Sequence, residues 1–151
     1  MSNRMYSVVD ENVGRHPVAR AIAKRKLEQS VRDLQISIRL MGDGEDASSE
    51  VWAGMQVLSI CLFALAKVGE PNRPEISVMR GAESALKQCQ RRGYKWRKDD
   101  ATAVDQGIGY ALEFHKVLPA QALTWAWHKM KRIDAQAARN ASEKMGRNSA
   151  Q

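Results

Sequence analysis

Few side chains in this sequence could do chemistry by type, and none is spaced for it. His16, His115 and His128 are the only histidines, and none has a Ser, Cys or carboxylate in a recognisable nucleophile–base arrangement. Glu113 stands two residues from His115, which turns it to another face of any helix. His115 falls on an apolar seam, where a hydrogen-bonded core histidine is expected. His128, between Trp127 and Lys129, reads as half-exposed. Cys61 and Cys89 sit in apolar stretches with no histidine placed to complete a zinc site. They read as buried thiols in a reducing compartment.

Oxygen-rich and glycine-rich segments are equally unspecific. The loop Asp43-Gly44-Glu45-Asp46 lacks the Asp-x-Asn-x-Asp-Gly frame of a calcium hand and reads as a turn. No strand precedes Gln106-Gly107-Ile108-Gly109, so this glycine pair does not make a phosphate cradle. The Glu-x-x-His pairs of di-iron bundles are missing. The expectation is a non-enzymatic protein: no catalytic residue, no metal, no cofactor.

Binding is the better prospect. Arg91, Arg92, Tyr94, Lys95, Trp96, Arg97 and Lys98 put five cations and two aromatics in one inter-helix loop. The cations could neutralise phosphates or an acidic protein face, and Tyr94 or Trp96 could stack on a base or anchor the loop to the core. A second candidate interface is Trp125, Trp127, Lys129, Lys131 and Arg132. The two tryptophans stand roughly 200° apart on a helix and cannot face the same core. A helix-turn-helix template fits neither Gly93 nor Gly107, because Arg92, Asp99 or Gln106 then occupies a position that should be apolar.

The elements that must carry these residues are helical almost throughout. From Pro17, suited to a first helical position, Leu27, Val31, Leu34, Ile38 and Met41 form a one-face stripe. This first helix is also basic, with Arg15, Arg20, Lys24, Arg25, Lys26, Arg32 and Arg39. Gly42 and Gly44 end it, and Ser48 or Ser49 can cap the next helix. That helix, 49–68, is apolar on nearly every side, with Leu58 and Leu62 in the core. It is barely long enough to cross a membrane and contains Gln56, Ser59 and Lys67, so it reads as the central core helix. A third helix spans 74–92, with Ile76, Met79, Leu86 and Cys89 inward. A fourth, after Asp99-Asp100, either of which can cap it, carries Val104, Ile108, Ala111, His115 and Leu118 on one seam. In the fifth, Leu123, Trp127, Met130 and Ile133 recur. Gly54, Gly81, Gly107 and Gly109 fall inside helices, where their use would be close helix approach.

The 151 residues suit one all-α domain of about five helices over 1–138, with an irregular arm at 1–14 and a polar tail at 139–151. Residues 1–14 lack the apolar core of a secretion signal, which points to the cytoplasm. The 24 Lys+Arg against 17 Asp+Glu leave a net charge of +7 and favour acidic partners. The expected function is a small regulatory or adaptor protein of the bacterial or phage accessory type that binds an acidic protein surface. Low-selectivity nucleic-acid binding through loop 91–98 and the first helix is the alternative. Self-association is allowed by the first helix's stripe; a membrane partner is not expected.

Overall fold

The computed structural model describes the backbone of residues 17–149 except position 71, and side chains from residue 24 to 147. The arm at 1–14, with Arg15 and His16, lies outside the described residues, as does the side chain of Arg20. Five α-helices make up the fold: α1 Pro17–Leu40, α2 Ser48–Lys67, α3 Glu75–Arg91, α4 Ala101–Val117 and α5 Ala120–Ser149. A short 3-10 turn, Lys98–Asp100, leads into α4. The protein is all-α; an isolated bridge between Asp46 and Lys95 is its only β pairing among the described residues.

Helix α2 touches each of the other four, and α4 lies against α1, α2 and α3. Of α2, Val51, Val57, Leu58, Ile60, Cys61 and Leu65 are fully buried. Its other side, with Trp52, Met55, Leu62 and Phe63, is only half covered. Leu62 therefore belongs to the margin of the core rather than its centre. By length and composition alone α2 could cross a membrane, and about half of it is buried inside the fold.

Antiparallel packing is visible in the side chains that tie the helices end to end. At one end of the α1–α4 pair the Lys24 ammonium donates to the carbonyls of Lys116, at 2.5 Å, and Leu118, at 3.5 Å. These are orphan acceptors at the C-terminus of α4, where a cation is favoured. At the other end Arg39 forms a bidentate pair with Asp105 at 3.1 and 3.2 Å. The α4 seam Val104, Ile108, Ala111, His115 and Leu118 is buried as its spacing requires. Two glycines do allow close approach: a Cβ on Gly54 would lie 2.8 Å from Leu86 Cδ1, and one on Gly107 would collide with Ala82 Cβ. Gly81 meets nothing and has no such role.

Three local expectations are corrected. Neither Ser48 nor Ser49 caps α2 with its side chain; Asp46 instead accepts from the Ser48 N–H at 3.2 Å and its hydroxyl at 3.0 Å. A carboxylate offers both lone pairs and charge to the helix N-terminus, so it outcompetes a hydroxyl there. Asp100 likewise makes no cap bond, because Arg92 holds it at 3.2 Å. The segment from Arg139, expected as an unpatterned tail, is helical to Ser149. Its alanines are strong helix formers, and Gln136–Asn140, Arg139–Gln136 and Arg147–Glu143 contacts support it locally.

Candidate interaction surface

Loop 91–98 begins where α3 is stopped. The Gly93 N–H bonds Gln90 O at 3.0 Å and the Tyr94 N–H bonds Cys89 O at 2.9 Å, the paired closure of a Schellman turn. Gly93 takes φ 73° as that turn demands, and Tyr94 follows at φ 65°, an uncommon conformation for a bulky residue. It is held there because the Ala47 N–H donates to Tyr94 O at 2.8 Å. Next, the Trp96 N–H bonds Glu45 O and the Gly44 N–H bonds Trp96 O, both at 2.9 Å. The Lys98 N–H donates to Asp43 Oδ1 at 2.6 Å. Loop 91–98 is thus laced to loop 42–47 from Tyr94 to Lys98.

This lacing changes what the loop can do. Trp96 is 1% exposed and sits in the core, so it is an anchor and not a contact surface. The reason is geometric: pairing of its backbone with Gly44 and Glu45 fixes the strand-like segment whose side chain at Trp96 is buried, and the Cys89 thiol donates to the neighbouring Lys95 O at 3.4 Å. Arg92 is occupied by Asp100. Arg91, Lys95, Arg97 and Lys98 stay exposed, but Asp46 is bridged to Lys95 and Asp43 accepts from the Lys98 N–H. At such separations, well inside the Debye length of about 8 Å, the acidic loop offsets much of the positive potential. Tyr94 is half-buried.

The second candidate set fares better. Ala126 and Met130 are buried against α2, and Trp125 and Trp127 lie half-buried on the two flanks of that seam. Ile133, expected inward, is 49% exposed, standing about 60° around the helix from buried Met130. On one flank, Lys129 Nζ stands 4.7 Å over the Phe63 ring and 5.2 Å over Trp125, while Lys67 Nζ stands 4.9 Å over Trp125. Lys131 covers Trp127 at 4.9 Å on the other flank, where Trp127 meets half-buried His128 edge to face. Lys67, Lys129, Lys131 and Arg132 face no carboxylate within ion-pair distance among the described residues. Phe63 and Lys67 were missed in the sequence because their pairing with α5 spans some sixty positions, and an apolar helix does not announce which of its sides stays half covered.

Where the lower part of α2 meets α5 and the α3 end, a groove of about 420 Å³ opens, walled by Trp52, Met55, Gln90, Tyr94, Met130 and Asp134. The basic first helix contributes less than its composition suggests. Lys24 and Arg39 are engaged with α4, leaving Arg25, Lys26 and Arg32 exposed.

His115, Cys61 and Cys89 are titratable groups buried in the interior. His115 is fully buried and its Nδ1 lies 2.6 Å from Ala111 O, so the proton sits on that nitrogen. Burial lowers its pKa from 6.5 to about 4, the Ala111 bond opposes this, and the Lys24 charge adds to it. Burial pushes the Cys61 thiol up to about 12. Cys89 is raised as well, chiefly by burial. Among the described residues, no three His, Cys, Asp or Glu side chains come together as a metal site. Neither a family model, nor a curated protein, nor a solved structure matches the chain.

Proposed function

We propose that this is a non-catalytic interaction protein that docks an acidic protein surface on the cationic, aromatic strip formed by α2 and α5. The observation that carries the proposal is Phe63 and Trp125 lying half-buried under Lys67 and Lys129, with no carboxylate paired to either lysine among the described residues. Rings fixed by a helix pair supply contact area with little entropy to lose, and Trp is enriched among interface hot spots. Unpaired ammonium groups on the same strip steer an acidic partner and raise its rate of association. Lys131 and Arg132 extend the positive surface along α5. Loop 91–98 is the weaker surface, since Trp96 is withdrawn and loop 42–47 offsets its charge.

Capture from nuclease-treated cell lysate tests this, comparing the wild-type chain with a Lys67→Glu, Lys129→Glu, Lys131→Glu variant. A protein captured by the wild type and lost by the variant, with unchanged helicity, supports the strip. Capture that disappears on nuclease treatment, or that survives the three reversals, refutes it. The first of those outcomes assigns the surface to nucleic acid.

A further inference from the structure

The face of α5 that packs on α2 does not end where α2 ends. Leu123, Ala126 and Met130 are buried on it. At 100° per residue the same face continues as Asp134, Ala137, Ala141 and Lys144, flanked by Ile133 and Met145. Residues 131–147 are all exposed, Ile133 by 49% and Met145 by 70%. From residue 135, just past the groove that Asp134 walls, to Ser149, α5 extends about 22 Å further at 1.5 Å per residue. Helices in proteins draw most of their stability from packing such a face.

Its sequence is complementary to itself when read backwards. About a centre at Arg139, Ile133 stands opposite Met145, Asp134 opposite Lys144, and Ala137 opposite Ala141. Each pair suits contact: apolar with apolar, anion with cation, and small with small at the centre, where two backbones must approach. Asp134 and Lys144 have no ion-pair partner among the described residues. Arg139 lies roughly 200° around the helix from Ala137 and Ala141, and bonds Gln136 at 2.7 Å, so the centre sets no two arginines face to face.

We propose that two copies of this chain dimerise by antiparallel pairing of α5 over residues 133–145, about a two-fold axis at Arg139. In this arrangement α5 of the second copy replaces α2 on the uncovered face. It also brings residues 144–147 of one copy level with residues 131–134 of the other, where Asp134 walls the groove. The contact is shorter than a standard interface of about 800 Å² per partner, so the dimer is concentration-dependent, of roughly micromolar affinity.

Sedimentation equilibrium on the full chain should show the 16.9 kDa species passing to twice that mass as concentration rises. Ile133→Glu should raise the dissociation constant by about tenfold or more. Asp134→Lys and Lys144→Glu should each weaken association, because the two-fold sets like charges opposite each other twice over. The double variant D134K/K144E should return to within about threefold of wild type, a rescue that only direct pairing produces. Far-UV circular dichroism confirms that each variant keeps its helix. Independently, mixing Ala137→Cys chains with Ala141→Cys chains should give an oxidised heterodimer in excess of either homodimer. A chain that stays monomeric at all concentrations, or a dimer indifferent to both single reversals, overturns the proposal.

Discussion

Acidification should destabilise this protein through one residue before its carboxylates are fully titrated. His115 sits neutral in the core, its Nδ1–H bonded to Ala111 O and its Nε2 buried with no partner among the described residues. Adding a proton there charges a group that no water or anion reaches, beside the Lys24 ammonium. The folded pKa of about 4 lies below the ordinary 6.5, which is taken for the unfolded chain. Between those values the unfolded state binds more protons, so stability falls as pH falls, with a slope of up to about 1.4 kcal/mol per pH unit. The full window amounts to about 3 kcal/mol, a large fraction of the 5–15 kcal/mol typical of a domain. Urea unfolding at pH 7.5, 6, 5 and 4.5 should show this loss in the wild type, and His115→Gln should lack it. The variant will be less stable at neutral pH, yet its deficit should shrink steadily on acidification. A deficit independent of pH, or an NMR titration placing the folded His115 near 6.5, refutes the burial argument.

Trp96→Ala should destabilise by about 3–5 kcal/mol in a denaturant melt, whereas Lys95→Glu, Arg97→Glu, Lys98→Glu should only lower the melting temperature modestly, by repulsion from loop 42–47, and leave partner capture intact. Gly107→Ala should cost about 1–3 kcal/mol by forcing α3 and α4 apart, while Gly81→Ala, with open space for its methyl, should stabilise by about 1 kcal/mol; thermal melts of the two variants must therefore move in opposite directions. Cys61 and Cys89 should resist a bulky thiol reagent in the native protein and react together on unfolding, since burial keeps both as thiols; fast native labelling would contradict their placement.

What was legible in the sequence follows its local periodicity. The α4 seam from Val104 to Leu118 and the α1 stripe from Leu27 to Met41 repeat every three to four residues, and each is buried as that spacing requires. Leu62 and Ile133 fit their stripes equally well, yet whether a helical face is covered depends on where the neighbouring helix ends, which no local pattern records. The same limit hid the lacing of loop 42–47 to loop 91–98. Its partners, Asp43 with Lys98 and Glu45 with Trp96, lie about fifty residues apart, and their bonds are mostly backbone to backbone. Side-chain types advertise little about such bonds, so five cations and two aromatics looked like a surface. The helix beyond Arg139 was missed for the opposite reason: it rests on the propensity of Ala, Lys, Arg and Glu, without an apolar repeat to announce it.

Charge and packing divide α5 into two parts governed by different forces. From Leu123 to Met130 its inner face is buried, and its flanks carry rings under unpaired lysines; from Asp134 onward the inner face itself is open. Attraction of an acidic partner to Lys67, Lys129 and Lys131 acts through solvent and should weaken steeply as added salt shortens the Debye length from about 10 Å toward 3 Å. Self-pairing through Ile133, Ala137, Ala141 and Met145 buries apolar surface, which salt strengthens rather than screens, and only the Asp134–Lys144 pairs oppose that trend. Raising salt should therefore strip the partner from the strip before it parts the two copies. A dimer that dissociates at the same ionic strength as the partner would mean that charge, not the uncovered apolar face, holds α5 to its copy.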